Sequence, residues 1–320
     1  MNSRLYRVIF NKNLGRLVVV SEKTVAQGKA GSQGGHDNSH STADSQSANG
    51  MVGYCYSKWL TLTAAVLVSL GTAQWAHADV QTQVIADSSA AKNEQATILT
   101  TASGITQVNI QTPSAAGVSK NSFSQFDVGS DGVILNNSRK NTQTQTAGWV
   151  EGNPWLGKGE AKVILNQVNS TSPSQLAGYT EIAGGKAELV IANPAGITCS
   201  GCGFINASRT TLTTGQAQMA DGRLTGFDVG GGKIRIDGKG LDTSTSDYTQ
   251  LIAQTNEINA KVYAKNLDVI SGSNQVSYDS DASNTQITHK DPAATNQATG
   301  VALDVSSLGG MYAGKIRLIG

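Results

Sequence analysis

The 320-residue sequence predicts an all-β chain, and three observations carry that expectation. After residue 79, apolar residues recur in short alternating runs, and no stretch keeps a 3.6-residue period long enough for a useful helix. The runs end on Gly, Asn or Asp, which supply corner conformations. One small unit, strand–polar turn–strand, then returns imperfectly. Lys162-Val163-Ile164-Leu165-Asn166-Gln167-Val168 is one instance and Lys233-Ile234-Arg235-Ile236-Asp237-Gly238 another, which Lys315-Ile316-Arg317-Leu318-Ile319-Gly320 closely repeats. Short strands with such corners suit a sandwich, a barrel or a β-solenoid. Recurrence favours the solenoid, and the pattern alone leaves the others open.

Residues 1–78 read as a region outside the folded body. Residues 1–29 are basic and apolar, and residues 31–50 form a Gly/Ser/His/Asn spacer. Lys58 then precedes an apolar segment from Trp59 to about Ala73, and Ala76-His77-Ala78 is a small-x-small cleavage site. A transmembrane anchor is the competing reading. Thr61, Thr63, Ser69, Gly71 and Thr72 weaken it, and the cleavage motif follows at once. The expectation is export, with cleavage between Ala78 and Asp79.

Removing that segment changes the inventory. It holds seven of 24 Lys and Arg and three of 23 Asp and Glu, which leaves 17 basic and 20 acidic residues, a net −3. Cys55 and three of the four histidines go with it, leaving Cys199, Cys202 and His289. No basic tract interleaved with aromatics follows, which argues against a nucleic-acid partner.

From Asp79 to about Val118 the chain is Ser/Ala/Thr/Gln-rich with weak strands, such as Gly104-Ile105-Thr106-Gln107-Val108-Asn109-Ile110. Phe123, Phe126 and Val128 lead into Gly132-Val133-Ile134-Leu135-Asn136-Asn137-Ser138. Farther on, Ala187, Leu189 and Ile191 alternate with Glu188, Val190 and Ala192, a strand with one inward face. Ile258, Ala260 and Val262 repeat the alternation, then Leu267 and Val269; a polar loop is expected over 271–300.

The most informative stretch is residues 193–215, NPAGITCSGCGFINASRTTLTTG. Asn193-Pro194-Ala195-Gly196 fits a type I turn, because Pro pre-sets φ and the Asn side chain caps its own backbone. Ile197 opens the next strand, and Cys199-Ser200-Gly201-Cys202-Gly203 forms a bend. Upstream, Asn153-Pro154-Trp155-Leu156 carries a second Asn-Pro turn.

These residues resemble the signature of the two-partner secretion domain, which begins the large exoproteins of Gram-negative bacteria. Those are filamentous haemagglutinins, haemolysins and contact-dependent growth inhibition toxins, and the cysteine-containing form is most similar to the last two. Asn153-Pro154-Trp155-Leu156 is similar to the family's Asn-Pro-Asn-Leu, and Asn193-Pro194-Ala195-Gly196 to its Asn-Pro-Asn-Gly. Both departures keep the turn-setting Asn-Pro. Residues 1–29 resemble the family's extended signal peptide region. The resemblance implies a right-handed parallel β-helix, with residues 79 to about 118 capping its first coil. It also implies that Asn153 and Asn193 serve secretion, through recognition or through the fold. The division it suggests is a signal segment over 1–78, the secretion domain over 79–310 and the lead-in to haemagglutinin-type repeats over 311–320. The sequence is accordingly expected to be the beginning of a longer chain.

Chemistry-bearing groups are few. Cys199 and Cys202 suit a disulfide in an oxidising compartment, or reduced, packed thiols. A zinc site would need about four ligands. Asp221 and Asp228 read as solvated corners rather than an acid–base pair, and His289 lies near no nucleophile motif. Asn136, Asn166 and Asn206 read as corner residues whose amides bond turn backbone. No catalytic set and no cofactor are expected. The function expected is secretion targeting: recognition by the periplasmic domains of an outer-membrane transporter, then β-helix nucleation outside the cell. Receptors on neighbouring or host cells would be met by downstream regions. A surface adhesin binding glycan or host protein is the alternative, and a β-helical carbohydrate-active enzyme a weaker one.

Overall fold

The computed structural model describes the backbone of residues 6–11 and 16–21, then residues 79–279, 281–290, 303–305 and 310–320. The expected spans 59–73 and 76–78 lie outside the described residues. Among those described, no helix is long and apolar enough to cross a membrane.

From residue 118 onward the chain winds through three walls of parallel strands. One turn runs Ser174–Leu176 in what is called the third wall, Tyr179–Gly184 in the first and Ala187–Ala192 in the second; the next runs Ile197–Cys199, Cys202–Ile205, Ala207–Thr213 through the same walls in the same order. The order then repeats through Lys233–Ile236, Leu241–Thr243 and Tyr248–Ala253, and again through Thr255–Ile258, Lys261–Ala264 and Asn266–Ser271. Leu303–Val305, Gly310–Tyr312 and Lys315–Ile319 continue the three walls. Each strand pairs in parallel with its counterpart one coil away, as Leu165 with Val190 or Ile234 with Ile197. This is a parallel β-helix. Of the alternatives left open by pattern, sandwich and barrel are excluded by the parallel coil-to-coil pairing.

Each wall alternates inward and outward side chains, because successive residues of a strand point to opposite faces. Leu135, Ile164, Leu189, Leu212, Ile234, Leu251, Ile258 and Val262 all fill the interior. A solenoid is held by contacts between neighbouring coils, so the first coil needs a lid. Gln83–Ala86 pairs antiparallel with Val118–Asp127, and Thr97–Thr100 pairs antiparallel with Thr106–Asn109, which closes that end. At the other end, Tyr6–Asn11 and Arg16–Ser21 form a hairpin added antiparallel to Gly310–Tyr312. The sequence reading set residues 1–78 apart from the folded body, yet an open ladder end can pair with any extended segment.

Asp87, at the edge of the lid, accepts hydrogen bonds from Asn169 Nδ2 at 2.8 Å and from the Ser89 backbone and hydroxyl at 2.9 and 2.6 Å. These bonds, that from Asn169 foremost, hold its carboxyl below the usual carboxylate range. A depressed pKa stabilises the fold above the unfolded-state value of about 4 and loses that contribution as pH falls through the folded value. Melting temperature should therefore fall on acidification below about pH 4. Asp87→Asn should shrink that fall; an identical pH profile would show that Asp87 contributes nothing to it.

Two expectations change. The strand Ala187–Ala192 turns Ala187, Leu189 and Ile191 inward as expected, but its outward face is buried as well: Val190 and Ala192 are as buried as Leu189 and Ile191. The expected loop over 271–300 contains strands at Asn274–Ser277 and Ile287–His289. With the hairpin Gln216–Ala220 and Arg223–Asp228, these form a four-stranded antiparallel sheet outside the helix. It covers the second wall, and Leu165, Val190, Ile252 and Ile270 meet Leu224, Phe227 and Val276 in a second core. An apolar residue on the outward face of a coil thus marks a covered face.

Candidate functional site

The two Asn-Pro turns sit at coil corners, and each asparagine is interior. Asn193 ends the strand Ala187–Ala192 and is fully buried. Its Nδ2 donates to Ser172 O at 3.1 Å and Ser174 Oγ at 3.0 Å, on the preceding coil. Its Oδ1 accepts from the Ala195 backbone at 3.0 Å, and the Gly196 N–H closes the turn on Asn193 O at 3.0 Å. Gly196 has φ +126, where L side chains are strained. Pro194 is exposed and Ala195 partly so, while Ile197 turns back into the core.

Asn153 uses the same device one face away. It caps the single turn Pro154–Leu156, its Oδ1 accepting from Trp155 N at 3.0 Å. Its Nδ2 donates to Ile110 O at 2.8 Å and Asn136 O at 2.9 Å, joining the lid to the first coil. Leu156 is fully buried, whereas Trp155 is half exposed and its Nε1 donates to Thr97 Oγ1 at 3.1 Å. Pro154 is exposed. The two turns are therefore separate staples, each tying a corner to a neighbouring layer; nothing brings them together.

Other asparagines behave alike. Asn136 donates to Asn109 Oδ1 and Glu151 O, both at 2.8 Å, and Asn121 donates to Asn166 at 3.4 Å between adjacent coils. Asn206 takes φ +63 and donates to Ile182 O and Gly184 O. Burial of these amides is what sequence reading missed for Asn153 and Asn193, although a turn-capping Asn closing a buried strand was a usable sign.

Cys199 and Cys202 are bonded across the corner between the third and first walls, with Cα atoms 5.4 Å apart, and both are buried. Closing a loop of about four residues contributes about 2 kcal/mol in the chain-entropy model. Replacing both with alanine should lower stability by about that amount and leave export intact, measured by urea unfolding and by secreted yield. Lost export with native unfolding behaviour would give the pair a part in recognition.

The candidate chemistry stays dispersed. His289 Nδ1 lies 2.7 Å from Asn274 Oδ1 in the outer sheet. Asp221 occupies the outer hairpin's turn with φ +50, and Asp228 pairs with Lys290. Among the described residues no group of three or more His, Cys, Asp or Glu is placed to hold a metal ion.

Comparison with known proteins decides the family. The TPS secretion domain matches residues 82–320. The chain belongs to the two-partner secretion domain family. The Extended Signal Peptide of Type V secretion system matches residues 1–48 of the same chain. The chain is 51% identical over 325 aligned residues to the Toxin CdiA of Yersinia pestis, covering all of this chain and 9% of that protein. It is 43% identical over 330 residues to the tRNA nuclease CdiA-2 of Burkholderia pseudomallei (strain 1026b), covering all of this chain and 10% of that one. The chain thus spans about a tenth of the length of these relatives. The crystal structure of a filamentous hemagglutinin secretion domain superposes with a TM-score of 0.65 at 32% identity, over 73% of this chain and 77% of that one. The secretion domain is accordingly exported through the inner membrane to the outer surface of a Gram-negative bacterium, and it implies a partner transporter in the outer membrane.

Proposed function

We propose that the transporter's periplasmic domains take this domain as an extended chain, and that Asn153 and Asn193 serve the fold that forms afterwards. The observation that carries this reading is the burial of both amides with their hydrogen bonds made inside the protein. A folded domain offers neither side chain to a partner. An extended chain can add as a strand to an exposed sheet edge, where main-chain bonds give affinity and side-chain pockets give specificity. Pro154, Trp155, Leu156, Pro194, Ala195, Gly196 and Ile197 would be read in that state. Outside the cell the lid and first coils fold, and each coil offers the next an edge. Nearest-neighbour stabilisation then draws the chain outward without ATP.

The full-length protein, on this reading, is a contact-dependent growth inhibition toxin, with residues 79–310 as its secretion domain and 311–320 leading into its repeats. Its similarity over the whole chain to a Toxin CdiA supports this. Secretion with and without the partner transporter tests the targeting role: the chain should reach the medium only with it. Equal yields would overturn the reading. Co-culture of cells expressing the full-length protein tests the toxin role, with inhibition of neighbours only on contact as the expected result.

A further inference from the structure

The first wall carries an outward row that the secretion role leaves unused. Tyr179 pairs in register with Gly203, Gly203 with Asp242, Asp242 with Tyr263, and Tyr263 with Tyr312. Their chain neighbours Cys202, Leu241, Val262 and Met311 are buried in the interior, so the row itself faces out. Tyr179 is 47% exposed. Gly203 does not lie in the left-handed region, yet a Cβ there would run into the Tyr179 ring. The missing side chain is what lets that ring lie down along the wall. Lys239 lies across Gly201 in the same way.

Two shallow grooves flank the Tyr179 ring. One, of about 350 Å³, runs between Tyr179 and Tyr263 and is walled by Asp242, Lys239 and Ser130. The other, of about 390 Å³, is bordered by Tyr179, Asp242, Thr146 and Thr245. Both fall at the small end of ligand sites, about 300–1,000 Å³. Tyr263 and Tyr312 stack with ring centroids 5.1 Å apart and planes at 23°, extending the aromatic strip along the axis.

The chemistry selects the ligand. A wall interior offers no free ladder groups to a peptide strand, because its N–H and C=O are paired with the coils on either side. Among the described residues Lys239 is the one cation lining these grooves, and the carboxylate of Asp242 lines the same groove, which disfavours phosphate or sulfate. A pyranose ring has an apolar C–H face that lies on the electron-rich face of an aromatic ring. Its peripheral hydroxyls donate to a carboxylate in charge-assisted hydrogen bonds. We propose that this row is a binding strip for neutral oligosaccharide, with sugar rings laid on Tyr179 and Tyr263 and hydroxyls held by Asp242. It acts on the folded domain and needs no transporter.

The exported chain, purified after signal removal, should be titrated with chitotetraose and cellotetraose, and with a heparin tetrasaccharide for comparison. Calorimetry gives affinity, and saturation-transfer NMR reports transfer from aromatic protons to sugar C–H. Weak binding of a neutral sugar is expected, with Kd of about 1 mM. Tyr179→Ala and Tyr263→Ala should each weaken it about tenfold, and Tyr179→Phe should keep it. If an alanine variant unfolds, Asp242→Asn serves in its place, with about fivefold loss expected. No transfer to either neutral sugar overturns the proposal, as does binding of heparin alone. Unchanged affinity in natively folded variants also overturns it. Absent sugar binding together with lost export of Tyr179→Ala would assign the strip to the transporter instead.

Discussion

Replacing Asn193 or Asn153 with alanine should cost the domain about 3–5 kcal/mol and most of its secreted yield. Asn193→Ala strands the buried Ser174 hydroxyl and removes the partner of the Ser172 carbonyl and the Ala195 N–H at the partly exposed rim of the corner. Asn153→Ala strands the buried Ile110 and Asn136 carbonyls and removes the partner of the Trp155 N–H. Each buried polar group stranded in this way costs about 1–3 kcal/mol. Asn141→Ala, which removes one exposed bond to Gly152 N, is the control and should stay within about 1 kcal/mol of wild type. Denaturant unfolding of refolded protein and secreted yield are to be measured together. Wild-type stability with lost secretion would move both residues from the fold to direct recognition.

A loss of similar size is expected at Arg209. Its side chain is 4% exposed and joins the outer sheet to the second wall. Nη2 and Nε donate to Gln250 Oε1 at 2.6 and 3.2 Å, and Nη1 donates to Asp279 O at 2.6 Å. The guanidinium lies 4.1 Å from the Tyr278 ring centroid and 3.7 Å from Glu188 Oε2. Burial pushes the Tyr278 hydroxyl well above its usual pKa, so it stays protonated and donates to Glu188. Arg209→Met keeps the apolar stem but leaves Glu188 without its cation. Glu188 is partly exposed, so most of the loss comes from removing the charged donor to Gln250 Oε1 and the Asp279 carbonyl, each about 1–3 kcal/mol. Hydrogen exchange should show the amides of Asn274–Ser277 and Ile287–His289 losing protection before those of the inner coils. Unfolding of all strands together would mean that the outer sheet is not a separable layer.

How far the sequence could be read depended on whether the controlling interaction was local. Corner chemistry was legible: Asn-Pro-x-Gly closes its turn within four residues, and the Cys199–Cys202 bend needs no distant partner. The wall assignment was not. Lys233–Ile236 and Lys315–Ile319 are near copies, yet the first lies in the third wall and the second in the second wall. Strand sequence sets which face turns inward, while position along the coil sets which wall the strand joins.

By itself, then, the sequence determined an all-β chain of short strands and tight corners, a small disulfide-capable bend and an export segment, because period, turn chemistry and composition are properties of neighbouring residues. The two-partner secretion family followed from motifs of the same local kind. Only the tertiary structure decided that Val190 and Leu165 are covered by an outer sheet, that Asn153 and Asn193 face inward, and that Tyr179, Asp242 and Tyr263 share one row. Each of those facts rests on which coil lies against which. Stacking register is set by burial between residues far apart in sequence, as where Leu165 lies beside Val190 or Asn153 bonds Ile110, and no local pattern carries it.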